Sequence, residues 1–511
     1  MIGTAIVGGG LAGLALAAEL AGEGQDVVLF EARERLGGRI RTETDAQTGL
    51  ALDLGAAWHW PDQPLLRALA ARLGLETVAQ HDEGGALLLN DAEAGPEPAG
   101  TAPVHGGALR LRDGMGAMIA ALAGRLGAER LRLGHVLVSV SDTGDHVRLH
   151  FADGTEAQAR RAVLALPPRL AAQTVAFAPQ IDLAPFAAMQ TWMASTAKTA
   201  MAVPRAPWRE AGLSGNSQAG HERAVLGETF DLGLPGGTAP GAIGGFFALD
   251  AGTRAAFSAG LPMLVASQMA QLFGAELAAA EPLIADWAAE PFTCAAADLS
   301  DPALRRSAPP AALRRALWQG RLYFAGSETA QRDPGHMEGA LESAERVLRQ
   351  LGRPPGALSL GAEPGLAGFA GWLEAREEGA FGSYRHHLNQ RLARQQPAMA
   401  TRYAALDSVE EVLGEALSVF AALRFAPGEL GADGGRAETV RRAGGMAKSF
   451  LSRHMGGILA FNRSSCALRN FPEEHELPAD YVQAILADVS RAGGGFLAEL
   501  DGLLAARAAA H

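Results

Sequence analysis

The first thirty residues alternate between short apolar runs and a segment of small residues. Residues 2–7 (IGTAIV) and 26–30 (DVVLF) have the uninterrupted apolar character of buried parallel strands. Between them, residues 11–22 (LAGLALAAELAG) predict a helix rich in alanine and glycine that can pack closely on a sheet. The pattern therefore predicts a strand–helix–strand unit at the start of the chain.

The pattern becomes helical after residue 356. Residues 408–423 have helical periodicity, and Ser408 is the expected N-cap of that helix. Residues 481–504 form another amphipathic stretch, which glycines 493–495 are expected to interrupt. We therefore predict a mainly helical domain over residues 356–511.

No catalytic or metal-binding pattern stands out in this last third of the chain. Residues 425–437, rich in Gly, Pro and Asp, predict a loop between two helical groups, and His386, His387 and His454 are expected on the surface. The segment resembles no family that we recognise. Three roles stay open: a helical cap over the functional site, a homodimer surface, or a separate interaction module.

Composition and charge narrow the class of protein. A length of 511 residues predicts two to four folded units. The net charge of −12 disfavours binding to nucleic acid or to anionic membranes. The two cysteines, Cys294 and Cys466, form no CxxC pair, so we expect two small buried residues and neither a disulfide framework nor a zinc site. With no signal-peptide pattern and no apolar run long enough to span a membrane, the sequence predicts a cytoplasmic protein.

The turn between the first strand and the first helix carries the pattern G-x-G-x-x-G. Gly8 permits the tight turn, Gly10 lets the backbone approach a pyrophosphate, and Gly13 allows close packing of helix and strand. The pyrophosphate would lie at the helix N-terminus, where free N–H groups favour an anion. Glu31, at the end of the second strand, is placed to accept hydrogen bonds from ribose hydroxyls. This pattern alone leaves NAD and FAD open.

The residues that follow resemble one family closely. Glu31-Ala32-Arg33 and the stretch Gly37-Gly38-Arg39-Ile40-Arg41-Thr42 resemble the GG-R-x-x-T region of the flavin-containing amine oxidase superfamily, which includes monoamine, polyamine and L-amino acid oxidases. The resemblance implies that FAD is the cofactor. It also implies that Arg33 and Arg39 lie by the FAD phosphates and ribose, where guanidinium groups would bind the buried phosphates.

Further matches follow in the family's order over residues 1–350. They are residues 52–58 (LDLGAAW), 136–140 (VLVSV), 162–168 (AVLALPP), 198–209 (KTAMAVPRAPWR), 287–292 (WAAEPF) and 321–345 (RLYFAGSETAQRDPGHMEGALESAE). Together with Gly8, Gly10, Gly13, Glu31, Arg33 and Arg39, the resemblance implies a cofactor site that includes Ala32, Gly38, Gly55, Ala56, Trp58, Val136, Trp287, Gly326, Glu328 and Met337.

The resemblance also implies the architecture. An α/β, Rossmann-type FAD-binding domain would be assembled from residues 1–60, about 130–170 and about 320–350. A mixed α/β substrate domain would be inserted, over residues 61–129 and 171–319. The two together form an amine oxidase-like unit over residues 1–355, and a helix starting near Met337 would direct its N-terminus at the flavin ring.

In this family a neutral amine loses a hydride to flavin N5, water hydrolyses the imine, and O2 reoxidises the flavin to give H2O2. Lys198 matches the lysine that holds a water against N5, so the resemblance implies a catalytic role for it. Ala296 stands where monoamine oxidases attach FAD to a cysteine, which implies noncovalent FAD. Ala297 and His336 align with the two tyrosines that enclose the amine in those enzymes, which implies a larger or more polar substrate contacting His336.

The leading prediction is an FAD-dependent oxidoreductase that oxidises a C–N bond of a small-molecule amine or amino acid, with O2 as acceptor. One alternative is another flavin oxidation on the same fold, either C–C desaturation or oxidative decarboxylation. A second is a flavin-bearing protein that acts by binding a partner through its C-terminal helices.

Overall fold

The fold is taken from a computed structural model of the chain. It describes residues 1–300, 309–331, 333–351, 365–393, 399–423, 435–465 and 471–509, and residues 425, 430, 468 and 469. The chain divides into two compact units. The first comprises Met1–Leu313 and Arg321–Gly352, and the second comprises Arg314–Gly320 and Arg353–His511. The domain bounds predicted within residues 1–355 stay a prediction.

The described residues of the first unit form nineteen strands. In chain order they are β1 (Ile2–Val7), β2 (Val27–Phe30), β3 (Thr42–Thr44), β4 (Ala51–Asp53), β5 (Thr77–Ala79), β6 (Gly85–Leu89), β7 (Glu97–Gly100), β8 (Leu109–Leu111), β9 (Leu131–Arg132), β10 (Leu137–Asp142), β11 (Val147–Phe151), β12 (Glu156–Leu164), β13 (Ala176–Ala178), β14 (Ala197–Val203), β15 (Leu213–Ala219), β16 (Leu226–Asp231), β17 (Gly241–Phe247), β18 (Leu283–Asp286) and β19 (Leu322–Phe324).

In the same described residues, ten α-helices accompany these strands. They are α1 (Leu11–Gly22), α2 (Pro64–Arg72), α3 (Gly116–Leu126), α4 (Pro168–Thr174), α5 (Ala184–Ala188), α6 (Pro207–Glu210), α7 (Ala251–Ala256), α8 (Leu261–Phe273), α9 (Ala296–Ser300) and α10 (Met337–Leu351). The predicted helix over residues 11–22 and the predicted helix starting at Met337 are both confirmed.

Two large sheets contain most of these strands, and β3–β4 and β5–β8 form two small sheets of two strands each. The eight-stranded sheet has the order β13-β10-β11-β12-β1-β2-β9, with β19 also paired to β12. Its centre is parallel, because β1 pairs in parallel with β2 and β12, and β12 pairs in parallel with β19. The β1–α1–β2 segment is the predicted strand–helix–strand unit. The seven-stranded sheet has the order β18-β14-β17-β16-β15-β6-β7 and is antiparallel in its middle.

The glycine turn is shaped by close backbone approach. Gly8 has a φ of 111°, and its N–H donates to the Phe30 carbonyl at 2.7 Å. A Cβ on Gly8 would lie 2.4 Å from the Ala165 carbonyl oxygen, and a Cβ on Gly13 would lie 2.0 Å from the Gly8 carbonyl oxygen. Both positions therefore exclude a side chain so that α1 can lie against the ends of the strands.

The second unit is helical in the part of the chain that the structure describes. Its helices are α11 (Gly365–Ala393), α12 (Ala400–Ala422), α13 (Gly435–Ser464), α14 (Pro472–Glu476) and α15 (Ala479–Ala509). They share one apolar core that includes the fully buried rings of Phe369, Phe420 and Phe450. None of the helices of the described residues is long and apolar enough to cross a membrane.

Three details predicted for this unit are wrong. The helix expected to start at Ser408 starts at Ala400, so Ser408 is an interior residue that is fully buried. Glycines 493–495 do not interrupt α15. His454 is buried rather than exposed: a ring nitrogen lies 2.9 Å from the Ser408 hydroxyl, and burial lowers the pKa of His454 to about 4.

The loop predicted over residues 425–437 lies largely outside the described residues. Within it, α13 has already begun at Gly435. His386 is exposed as predicted, whereas His387 is half-buried and lies 3.1 Å from the Glu411 carboxylate.

Candidate active site

A cavity of about 340 Å³ opens beside the glycine turn. Its wall combines the N-terminal turn of α1, the ends of β1 and β2, the loop before α2, the start of β14 and the N-terminus of α10. Seventeen of the predicted site residues lie in this wall: Gly8, Gly10, Glu31, Ala32, Arg33, Gly38, Arg39, Gly55, Ala56, Trp58, Val136, Lys198, Trp287, Gly326, Glu328, His336 and Met337. Gly13 does not line the wall, and a Cβ there would meet the Gly8 carbonyl oxygen instead.

Gly10 differs from its neighbours in the turn. A Cβ on Gly10 would have only the Gly38 Cα as a near contact, at 3.9 Å, so the protein itself leaves the space beside it empty. Gly10 precedes the first turn of α1, and Leu11 and Ala12 also line the cavity. The free N–H groups of a helix N-terminus carry partial positive charge and favour an anion. This part of the wall can therefore receive a phosphate group.

Glu31 is buried at the end of β2. Its carboxylate accepts a hydrogen bond from the Gly9 N–H at 2.6 Å and another from the Arg33 N–H at 3.0 Å. A carboxylate has about four lone-pair directions, so these two hydrogen bonds leave part of its accepting capacity unused. The geometry suits the hydroxyl groups of a ribose.

Arg33 joins two separate parts of the wall. Its guanidinium donates to one oxygen of Glu290 at 2.9 and 2.8 Å, donates to the Thr293 hydroxyl at 2.8 Å, and lies 3.6 Å from Glu31. Glu290 belongs to the WAAEPF segment, but the sequence predicted no role for it. Its contact with Arg33 shows that this acid orients the guanidinium.

Arg39 forms a two-point ion pair with Glu328. Its two terminal nitrogens lie 2.6 and 2.8 Å from the two carboxylate oxygens, and the second also donates to the Ser327 hydroxyl at 2.9 Å. Burial alone would raise the pKa of Glu328, but the Arg39 charge and hydrogen bonds outweigh it and lower that pKa. The carboxylate therefore stays ionised inside the wall.

Lys198 lies in the wall at the start of β14 and is only 2% exposed. Its ammonium group donates to the Gly55 carbonyl at 3.1 Å. The rings of Trp58, Phe230 and Phe246 surround it, with centroids 5.2, 5.2 and 5.7 Å away. These contacts leave further donor positions on the nitrogen for a molecule in the cavity.

Burial in this aromatic enclosure lowers the pKa of Lys198 to about 8. Asp53 and Glu228 oppose the shift by favouring the charged form, and Arg110 adds to it. The side chain can therefore exchange a proton near neutral pH, which an exposed lysine rarely does.

His336 precedes α10 and faces the same cavity. One ring nitrogen lies 3.1 Å from the Pro334 carbonyl oxygen, and the imidazole packs on the Trp192 indole with centroids 5.4 Å apart. Trp192 also lines the cavity, and the sequence did not indicate it. Ala297, the other position aligned with a tyrosine, lies exposed on α9 outside the wall.

The start of α10 is fixed by a buried acid that the sequence also did not single out. The Glu338 carboxylate accepts hydrogen bonds from the Leu65 and Leu66 N–H groups at 3.0 and 2.9 Å, in the first turn of α2. These bonds cap α2 and hold the N-terminus of α10 in the wall.

Cys294 is half-buried, so its predicted burial is only partial, and it does not line the cavity. Burial raises the pKa of its thiol to about 11. Cys466 lies outside the described residues. Among the described residues, no cluster of three or more His, Cys, Asp or Glu side chains could hold a metal ion.

Comparisons with known proteins agree with this geometry. The chain is 43% identical over 84 residues to putrescine oxidase of Kocuria rosea, and 22% identical over 454 residues to amine oxidase [flavin-containing] A of Equus caballus. The first alignment covers 16% of this chain and only 17% of the relative, whereas the second covers 69% and 85%.

Solved structures show the same fold. Putrescine oxidase bound to putrescine superposes with a TM-score of 0.55 at 19% identity, and cyclohexylamine oxidase from Brevibacterium oxydans with 0.55 at 17%. Each alignment covers 68% of this chain and 98% of the other. The predicted α/β fold class with additional C-terminal helices is confirmed.

A family model decides the relationship. The model described as flavin containing amine oxidoreductase matches residues 11–101 and 99–351. Since these segments make up more than half of the 511 residues, the chain belongs to the family of flavin-containing amine oxidoreductases, as its sequence motifs predicted.

Proposed function

We propose that the protein binds FAD noncovalently in the cavity and oxidises a C–N bond of an amine or amino acid, with O2 as electron acceptor. The observation that carries the proposal is Lys198, a buried lysine with a lowered pKa, enclosed by aromatic rings in the wall of a cavity that also contains a nucleotide-binding turn.

The residues of the wall suit FAD. The space beside Gly10 and the N-terminus of α1 suit the pyrophosphate, and the Glu31 carboxylate suits the ribose. Arg33 and Arg39 add positive charge, and Trp58 and Trp287 offer apolar surface to a flat ring. When bound, FAD would supply a two-electron acceptor for the C–H bond next to the amine nitrogen.

The chain's own contribution would be to position the substrate and move protons. Below about pH 8 the charged Lys198 would hold a water molecule through the N–H groups that Gly55 does not use. Above that pH the neutral amine could accept a proton at Nζ. The aromatic enclosure would exclude bulk water from this end of the cavity and keep a substrate amine from being solvated.

Attachment of FAD through the Cys294 sulfur is disfavoured. That sulfur is outside the cavity wall, and its raised pKa keeps the thiol protonated. This supports the noncovalent cofactor implied by Ala296. A cytoplasmic location and a homodimer stay predictions.

The proposal is tested with the FAD-loaded full chain. Without oxygen, at least one member of a panel of benzylamine, cyclohexylamine, putrescine, straight-chain alkylamines and L-amino acids should bleach the flavin absorbance. Air should then restore the colour with release of one H2O2 per flavin. Peroxide with an aldehyde, ketone or keto acid identifies C–N oxidation, whereas an alkene or CO2 identifies desaturation or decarboxylation. A flavin that no amine or amino acid bleaches would overturn the proposal.

A further inference from the structure

The cavity contains an aromatic surface that no sequence motif indicated. Trp192, in the segment between α5 and β14, packs its indole on the His336 imidazole with centroids 5.4 Å apart and planes 35° apart. Trp192, Met193 and His336 all line the cavity. A tilted pair of rings, the Trp192 indole and the His336 imidazole, therefore forms this part of the wall.

The Arg39–Glu328 ion pair holds the Trp192 backbone. The Trp192 N–H donates to a Glu328 oxygen at 3.1 Å, and its carbonyl accepts a hydrogen bond from Arg39 at 3.2 Å. Both polar backbone groups of one residue thus bind the two members of a single ion pair. Because that pair is itself bidentate, the backbone that carries the indole has little freedom to shift.

The Trp192 side chain also lies close to the backbone of Gly335. Gly335 has a φ of 84°, and a Cβ there would lie 2.5 Å from the Trp192 Cβ and 2.6 Å from its Cγ. Met193, the next residue in the chain, has a φ of 55°, an uncommon conformation for a residue with a side chain. Surrounding contacts must stabilise that conformation, which is typical of segments that present a side chain to a site.

We propose that Trp192 is a specificity-determining residue, which presents a flat apolar surface to the substrate and favours amines with a planar or cyclic carbon group over straight-chain amines. Arg39 and Glu328 act as positioning residues for it. The inference rests on the proposed function, because it takes FAD and an amine to share this cavity. The proposal changes the expectation of a larger or more polar substrate that His336 alone suggested, because the Trp192 indole packs against the imidazole.

The test compares benzylamine with n-hexylamine in the FAD-loaded chain. The ratio of their kcat/KM values should fall about 3- to 10-fold in Trp192→Ala, the range for loss of one aromatic contact, and less in Trp192→Phe. The FAD dissociation constant should change less than about twofold, because the ion pair is retained. Trp372→Phe, which changes a tryptophan of the helical unit, is the matched control and should leave the ratio unchanged.

Gly335→Ala separates positioning from a mere loss of surface. The added methyl group must displace the indole, so this variant should lower the ratio in the same direction as Trp192→Ala. In a Trp192→Gly background the same methyl group has no Trp192 side chain to displace, and only the backbone strain of alanine at a φ of 84° is left, so it should change the ratio less than it does in the unchanged chain. Additive effects of the two changes would overturn the positioning argument.

Binding without turnover keeps the test independent of the proposed function. If no amine bleaches the flavin, the proposed function fails, but anaerobic titration of the flavin spectrum with benzylamine and n-hexylamine still gives two dissociation constants. A rise of about twofold or more in the ratio of the benzylamine constant to the n-hexylamine constant in Trp192→Ala supports the inference, and a smaller change overturns it.

Discussion

The two units of the protein use buried polar side chains differently. In the α/β unit, Glu31, Arg33, Arg39, Glu328 and Lys198 meet at the wall of one cavity, and the contacts of Glu31 and Lys198 leave part of their hydrogen-bonding capacity unused. Such a wall is organised to receive a molecule.

In the helical unit, buried polar groups bind one another. The Tyr384 hydroxyl donates to Asn462 at 2.5 Å, and Asn462 donates to the Thr401 hydroxyl at 2.6 Å. The Glu474 carboxylate accepts the Ala400 and Thr401 N–H groups at 3.1 and 2.8 Å. These groups fix the start of α12 and the packing of the helices. Burial of a polar group therefore does not by itself indicate a function. An unused hydrogen-bonding position that faces a cavity does.

The largest effect is expected from Gly10→Val, which tests whether the space in the turn belongs to a ligand. The side chain meets no protein atom closely, so the variant should fold, but it would occupy the place of the pyrophosphate. The FAD dissociation constant should rise at least about 1000-fold, equivalent to roughly 4 kcal/mol, and the purified protein should be colourless.

Gly22→Val at the end of α1 is the control for Gly10→Val, since a Cβ on Gly22 meets nothing within 4 Å and Gly22 does not line this cavity. It should retain FAD. Gly13→Val should instead lower the melting temperature, because its Cβ would meet the Gly8 carbonyl oxygen. A yellow Gly10→Val protein with normal FAD content would show that the turn has been misinterpreted.

The second effect concerns Lys198→Met, which keeps most of the side-chain volume and removes the charge. If Lys198 holds a water or proton at the reacting end of the cavity, flavin reduction or reoxidation should slow by about 10- to 1000-fold while FAD stays bound. Stopped-flow absorbance separates the two half-reactions. Rates of both within about twofold of the unchanged chain would exclude this role.

The same variant should also change stability with pH. The folded-state pKa of Lys198, about 8, is below its ordinary value of 10.5, so the folded protein binds fewer protons than the unfolded chain between these pH values. Burying the charged Lys198 therefore lowers the free energy of unfolding by its full amount below pH 8, and this loss declines as pH rises. The stability gained in Lys198→Met should shrink by about 2 kcal/mol between about pH 6.5 and 9.5. Denaturant unfolding measures this, and Lys448→Met, at the exposed second lysine, should show no such trend.

Lys198 also shows what the sequence could indicate about the site. The chain contains only two lysines, Lys198 and Lys448, among 44 basic residues. Arginine hardly ever loses its proton, whereas a buried lysine can. A lysine inside an apolar strand of a chain whose other basic residues are nearly all arginines therefore indicates a site of proton exchange. Trp192 had no comparable signal, because its position depends on Glu328 and Gly335, which are more than 130 residues away in the chain.

The fold shows the same limit. The sequence predicted α1 at its observed bounds because its turn and its apolar face are local features. The predicted start of α12 at Ser408 was wrong because Glu474, more than 70 residues later, caps the helix at Ala400. Glycines 493–495 stay helical because Val489, Phe496 and Leu500 pack in the core, which outweighs a cost of about 1 kcal/mol for each glycine.

The third prediction concerns a substitution in the helical unit. Glu474→Ala removes the acceptor for two buried N–H groups and for the Tyr481 hydroxyl. The free energy of unfolding of the unit should fall by about 2 to 4 kcal/mol, the cost of leaving such donors unpaired. FAD content should be unchanged, because the cavity is built from the other unit. Glu473→Ala, at an exposed neighbour, is the control. A loss of FAD in Glu474→Ala at a temperature where the protein stays folded would break the proposed contrast between the units.

The smallest effect is expected at Cys294, which tests whether the cavity binds its cofactor without a covalent bond. Its thiol, with a pKa of about 11, would be thiolate in only about one molecule in 10,000 at neutral pH, and the sulfur is outside the wall. Acid precipitation should therefore release all of the flavin to the supernatant from the unchanged chain and from Cys294→Ser alike. Yellow colour in the pellet of the unchanged chain but not of Cys294→Ser would identify Cys294 as the attachment site. Colour in both pellets would place a covalent bond at another residue. Either of these two coloured outcomes would show that the cavity wall moves or reacts in a way that its contacts do not indicate.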